Sequence, residues 1–84
     1  MEESADENRR IIMEVLYRHR ASGGGTVNLE DVRSLDLIDA GRLRDDIEYL
    51  EALDYVELLD GRVGLTELGF MLMENREFSF CPHL

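Results

Sequence analysis

Histidine, cysteine, carboxylate and arginine are the side chains here that can do chemistry, and lysine is not among them. All nine bases are arginine, so a lysine-dependent phosphate loop, a lysine Schiff base and a lysine general base are excluded by composition. His19 lies beside Val15 and Leu16 at the end of an amphipathic segment, where a partly buried imidazole needs no catalytic role. Cys81 and His83 offer two metal ligands, short of the four that a closed zinc site takes, and the sequence holds no second Cys/His pair. Carboxylates are so abundant that closeness of any two carries little weight. Gly23-Gly24-Gly25 lacks the strand-to-helix setting of a phosphate loop and reads as a connector. No nucleophile stands with a recognisable base. The expectation is a non-catalytic protein with no metal and no cofactor.

What remains is recognition, and charge bounds it. Nineteen acids against nine bases give 84 residues a formal charge of −10, which opposes a polyanionic partner. A chain of this length forms one domain, residues 1–84, that buries only about 60% of the surface exposed on unfolding. Cys81 is the sole cysteine, so no internal disulfide forms and a reducing cytoplasm is the natural setting. The N-terminus is acidic, and no apolar run approaches the ~20 residues of a membrane span. A soluble cytoplasmic protein with no targeting segment and no membrane partner is expected.

The elements that must position any site follow from caps and periodicity. Ser4-Ala-Asp-Glu7 fits a capping box, and a first helix is predicted from about Ala5 to Ala21, with Ile11, Ile12, Val15 and Leu16 as its main stripe. Arg18, His19 and Arg20 suit its C-terminal dipole. After the glycines, Thr26-Val27 reads as a very short strand, and Asn28 caps a second helix through about Leu35. Asp36-Leu-Ile-Asp39 breaks the chain, and Asp39 caps a third helix, Ala40 to Leu53, with Leu43, Ile47, Leu50 and Leu53 at helical spacing. Asp60-Gly61 between Tyr55–Leu59 and Arg62–Leu65 marks a tight hairpin, because this pair tolerates positive φ. Thr66 caps a fourth helix, Glu67 to about Asn75, and Pro82 keeps the tail REFSFCPHL from continuing it.

The order is helix, short strand, helix, helix, two-stranded hairpin, helix: an α+β class, mostly helical. With LRDDIEYLEALDYVEL (Leu43–Leu58) and GRVGLTELG (Gly61–Gly69), it resembles the winged helix-turn-helix superfamily, closest in type to small archaeal and bacterial regulators related to the MarR and PadR families. The likeness covers about residues 9–75 and leaves the tail, 76–84, outside. It implies a recognition helix at Ala40–Leu53 and a wing at Asp60-Gly61. In DNA-binding members that helix enters the major groove and the wing meets phosphate.

Arg33, Arg42, Arg44 and Arg62 are the candidate DNA contacts. The third helix and the residue after it hold five acids, Asp45, Asp46, Glu48, Glu51 and Asp54, against two arginines. Its predicted outward face centres on Gly41, Asp45, Glu48 and Ala52, the wrong sign for phosphate. Arg42–Asp46 and Arg44–Glu48 are spaced four apart and can pair on the helix. Met13 and Tyr17 lie around the first helix from its main stripe, and the fourth helix is apolar all round. Met13, Tyr17, Phe70, Met71, Met73, Phe78 and Phe80 are therefore the expected homodimer interface. The reading is a dimeric regulatory protein of the transcription-regulator type acting through protein contacts. Direct duplex-DNA binding by the third helix and wing is the second reading, and an acidic mimic of nucleic acid that inhibits a basic protein is the third.

Overall fold

The computed structural model describes residues 3–75, with side chains from residue 7 onward. It is mostly helical with a three-stranded antiparallel sheet, an α+β arrangement. Helix α1 runs Glu3–Ala21, strand β1 Val27–Asn28, helix α2 Leu29–Arg33, a 3-10 turn Ala40–Arg42, helix α3 Leu43–Ala52, strands β2 Val56–Leu59 and β3 Arg62–Leu65, and helix α4 Glu67–Asn75. No helix among the described residues is long and apolar enough to cross a membrane.

The hairpin forms because its turn chemistry matches its geometry. Asp60 and Gly61 have φ of 55° and 76°, as a two-residue turn with right-handed strand twist demands. The register pairs Leu59 with Arg62 and Val56 with Leu65, and β1 joins the other side of β3 through Val27↔Val63. Strand order is β1-β3-β2. Alternation then puts Val56, Val63 and Leu65 on the buried face, with Leu58 partly covered, and leaves Glu57, Leu59 and Arg62 outside.

Three caps fall where the sequence places them. The Asn28 side chain accepts from the Glu30 N–H at 2.9 Å, and the Asp39 side chain accepts from the Gly41 N–H at 3.1 Å. The Thr66 hydroxyl accepts from the Gly69 N–H at 3.0 Å while donating to the Asp54 carbonyl at 2.6 Å, tying α4 to the end of α3. Gly69 has a separate reason to be glycine. A Cβ there would collide with the Tyr55 carbonyl, so only a bare backbone lets α4 lie this close to the chain entering β2.

Several boundaries differ. Helix α1 begins at Glu3, which places Ser4 inside it rather than at its cap. The third helix starts as a 3-10 turn, since the Asp39 cap tightens Ala40–Arg42 before α geometry takes over at Leu43. The second helix stops at Arg33, with Ser34 as its C-cap.

The core joins Ile12, Met13 and Leu16 of α1 to Val32, Ile38, the α3 residues Leu43, Ile47 and Leu50, the inner sheet face and Met73 of α4. Two expected interface residues are thereby corrected. Met13 is 0% and Met73 8% exposed, so both fill the interior of their own chain. Helix α1 packs on α3 and β3 and also on α4, so its buried arc is wider than one stripe and turns past Val15 to include Met13.

Candidate nucleic-acid and partner interface

The two sides of α3 carry opposite chemistry. Leu43, Asp46, Ile47 and Leu50 recur at helical spacing and all are buried, so Asp46 faces inward among aliphatic neighbours. A carboxylate there must be paired. Asn8 of α1 donates to its Oδ2 at 2.7 Å, Arg9 Nε donates to its Oδ1 at 2.9 Å, and Arg42 reaches the same Oδ1 at 3.4 Å. The Asn8 side-chain oxygen accepts the Asp39 N–H at 2.8 Å, which fixes the residue capping the 3-10 turn. Arg9 also lies 3.7 Å over the Tyr49 ring, a cation–π contact. One buried charge thus sets the position of α1, the 3-10 turn and α3 together. Counting Asp46 among the surface acids is corrected: it is 0% exposed.

The predicted outward positions Gly41, Asp45, Glu48 and Ala52 are all exposed, and Arg44 and Glu51 join them. Asp45, Glu48 and Glu51 form no ion pair with described residues. Removing Asp46 from this face leaves it acidic, with three carboxylates that form no ion pair among the described residues beside Arg44.

The four candidate DNA arginines have different fates. Arg33 pairs with Glu30 at 3.6 Å on the surface of α2. Arg42 bends inward to Asp46, with its Nε buried and lacking a hydrogen-bond partner in the described structure. Arg62 donates twice to Thr26, from Nε to the hydroxyl and from Nη2 to the carbonyl, both at 2.9 Å, clamping β3 onto the glycine connector. Arg44 is the one described arginine with no hydrogen bond, ion pair or ring contact, so the expected Arg44–Glu48 pair does not form among the described residues. It lines a cleft of about 160 Å³ between α3 and the hairpin, whose other walls are Leu29, Ile47, Leu58 and Gly61.

The remaining interface candidates separate as clearly. Tyr17 and Phe70 pack on each other at 5.4 Å between ring centres, and the Tyr17 hydroxyl donates to Glu74 at 3.0 Å, joining α1 to α4 within one chain. Arg20 lies 4.7 Å from the Phe70 ring and donates to the Leu65 carbonyl. Met71 is 53% exposed and shares the outer side of α4 with Leu68. Phe78, Phe80, Cys81 and His83 lie outside the described residues. His19 is half-buried, with its ring against Gly24, where any Cβ would collide with the imidazole.

A second groove, about 460 Å³, is lined by Arg20, Thr26, Glu57, Gly64, Thr66 and Glu67 among others. Its Arg20 and Thr66 side chains are already bonded to backbone carbonyls and its Thr26 hydroxyl accepts from Arg62, so no hydroxyl–carboxylate hydrogen bond is formed in its lining among the described residues. Comparison of the chain with protein-family models, curated proteins and solved structures returns no match.

Proposed function

We propose that this chain is a winged helix-turn-helix domain that has kept the scaffold of a transcription regulator and acts, without catalysis, through protein contacts, including contacts with itself. The element order, a sheet ordered β1-β3-β2 and a hairpin directly after α3 support the fold reading. The observation that carries the functional reading is the fate of the basic groups. Of the four candidate arginines, Arg42 and Arg62 are held by contacts within the chain and Arg33 makes an exposed pair with Glu30, while Asp45, Glu48 and Glu51 form no ion pair among the described residues on the surface that would face phosphate. Phosphate affinity comes from counterions that cationic side chains displace from the nucleic acid, and an acidic face displaces none.

Direct DNA binding is the second reading because Arg44 is exposed on that same face and makes no hydrogen bond, ion pair or ring contact among the described residues. Fluorescence anisotropy of labelled mixed-sequence duplex at low salt separates the two. The protein-contact reading expects no binding where electrostatic attraction is strongest. Binding that weakens with salt and disappears in Arg44→Ala would establish the DNA reading instead.

A further inference from the structure

Among the side chains described, the outer face of α1 is the one helix surface on which acids and bases balance. The buried arc of α1 runs through Asn8, Ile12, Met13 and Leu16, and the opposite arc carries Glu7, Arg10, Glu14 and Arg18, alternating in sign over about three turns. Glu7, Arg10 and Arg18 are exposed, and the Glu14 side chain is 47% exposed. The other exposed helix surfaces are acidic. Glu30 and Asp31 outnumber Arg33 on α2, Asp45, Glu48 and Glu51 outnumber Arg44 on α3, and Glu67 and Glu74 are the exposed charges of α4. A chain of net charge −10 repels its own copy, so a face of balanced charge is where two copies approach at least cost.

The alternation is also its own complement. A second α1 laid antiparallel, centred near residues 12 and 13, sets Glu7 opposite the copy's Arg18 and Arg10 opposite its Glu14 in one common register. A two-fold axis normal to the plane of the two helices keeps each edge of α1 against the same edge of the copy. Helical phase puts Ile11 and Val15 on the edge away from Arg10 and Glu14, so in that register Ile11 meets the copy's Val15. Both are only partly buried in their own chain, and Val15 stays outside the core cluster. Leu37, 76% exposed, shares a groove with Glu7 and Ile11 and extends this apolar edge. Arg18 pairs with Glu14 of its own chain at 3.5 Å, an exposed contact that leaves Glu14 between its own Arg18 and the copy's Arg10. Asn8 and Arg9 tie α1 to Asp46, so the face is offered on a helix already fixed in place, which lowers the ordering cost of association. Other exposed apolar side chains lack such a setting. Leu68 and Met71 share α4 with acids alone, Leu35 stands beside Asp36, and Leu59 lies between Glu57 and Asp60 while the Arg62 opposite it is held by Thr26.

We propose that two copies of the chain associate through the outer faces of α1, antiparallel about a two-fold axis, with Glu7 of each against Arg18 of the other, Arg10 against Glu14 and Ile11 against Val15. The interface is isologous, so each contact forms twice. It rests on the protein-contact reading and deepens it by giving the contact of the chain with itself a place in the fold.

Sedimentation velocity on the full chain, from roughly 10 μM to 1 mM, tests the proposal. Glu7 and Arg18 are eleven residues apart, roughly 16 Å along the helix, so they meet only between copies. The wild-type protein self-associates, and Glu7→Arg and Arg18→Glu each weaken association about tenfold, because each sets like charges opposite one another twice. An equimolar mixture of the two variants recovers the association, since each then meets the charge that the other carries. Loss of the Arg18–Glu14 pair within the chain is the same for Arg18→Glu alone and in the mixture, so the recovery reports contact between copies. Circular dichroism confirms that each variant is folded. A wild-type monomer throughout the range overturns the proposal, as does a mixture no better than either variant alone. Association lost in Leu68→Gln/Met71→Gln but unmoved by either charge reversal would place the interface on α4 and also overturn it. None of these results touches the protein-contact reading, which stands or falls on the duplex titration.

Discussion

Asp45 and Asp46 are chemically identical neighbours on one helix, separated by a turn of about 100°. Asp46 is fully buried and paired with Asn8, Arg9 and Arg42, whereas Asp45 is exposed and unpaired among the described residues. The first carboxylate is part of what locates α3, and the second is part of what α3 presents. Net charge cannot distinguish them, although helical phase can. The same division runs through the arginines: Arg42 turns inward to the cluster, and Arg44, two residues on, lines the cleft beside the hairpin.

The sharpest way to break the comparison is to remove the inward acid. Asp46→Ala leaves Arg9 and Arg42 without their shared carboxylate and is expected to cost about 3–5 kcal/mol, a large fraction of the stability of a small domain. Urea denaturation followed by circular dichroism measures it, and a cost under about 1 kcal/mol would make the cluster incidental. Next in size is Gly69→Ala, where the added methyl meets the Tyr55 carbonyl and α4 must shift. A loss of about 1–3 kcal/mol is expected in the same assay. Thr66→Ala removes the α4 cap and its tie to Asp54, for about 1 kcal/mol. Asp45→Ala is the matched control and should change stability by no more than about 0.5 kcal/mol. If Asp45→Ala and Asp46→Ala cost the same, the two faces are not distinct.

These contrasts show what a single sequence makes legible. Turn and cap chemistry is local, so Asp60-Gly61, Asn28, Asp39 and Thr66 could be placed from a few residues each, as could the Leu43, Ile47, Leu50 stripe. The burial of Asp46 depends on Asn8 and Arg9, 38 and 37 residues earlier in the chain, and no local rule supplies those partners. A signal was nonetheless present, because residues 43, 46, 47 and 50 share one face and Asn8 stands one turn before Ile12 on the buried side of α1. Met13 is buried for a related reason. A single apolar stripe suits a helix with one neighbour, but α1 has packing partners on two sides. Arg62 belongs to the same class, since its tie to Thr26 exists only once β1 has paired with β3.

The candidate surface was legible in outline. Asp45, Glu48 and the other outward positions of α3 follow from phase alone. The cleft does not, because its walls come from α2, α3 and the hairpin, and only their packing brings Leu29, Ile47 and Leu58 around Arg44.

The most direct test of the account compares duplex titrations of the wild-type protein and the Asp45→Asn/Glu48→Gln/Glu51→Gln variant at low salt, by anisotropy of labelled mixed-sequence DNA. If the outward acids set the choice of partner, the wild-type protein does not bind, and the neutralised variant shows attraction that falls as salt is raised. Wild-type binding as tight as the variant's would contradict the account and return α3 and the hairpin to nucleic acid.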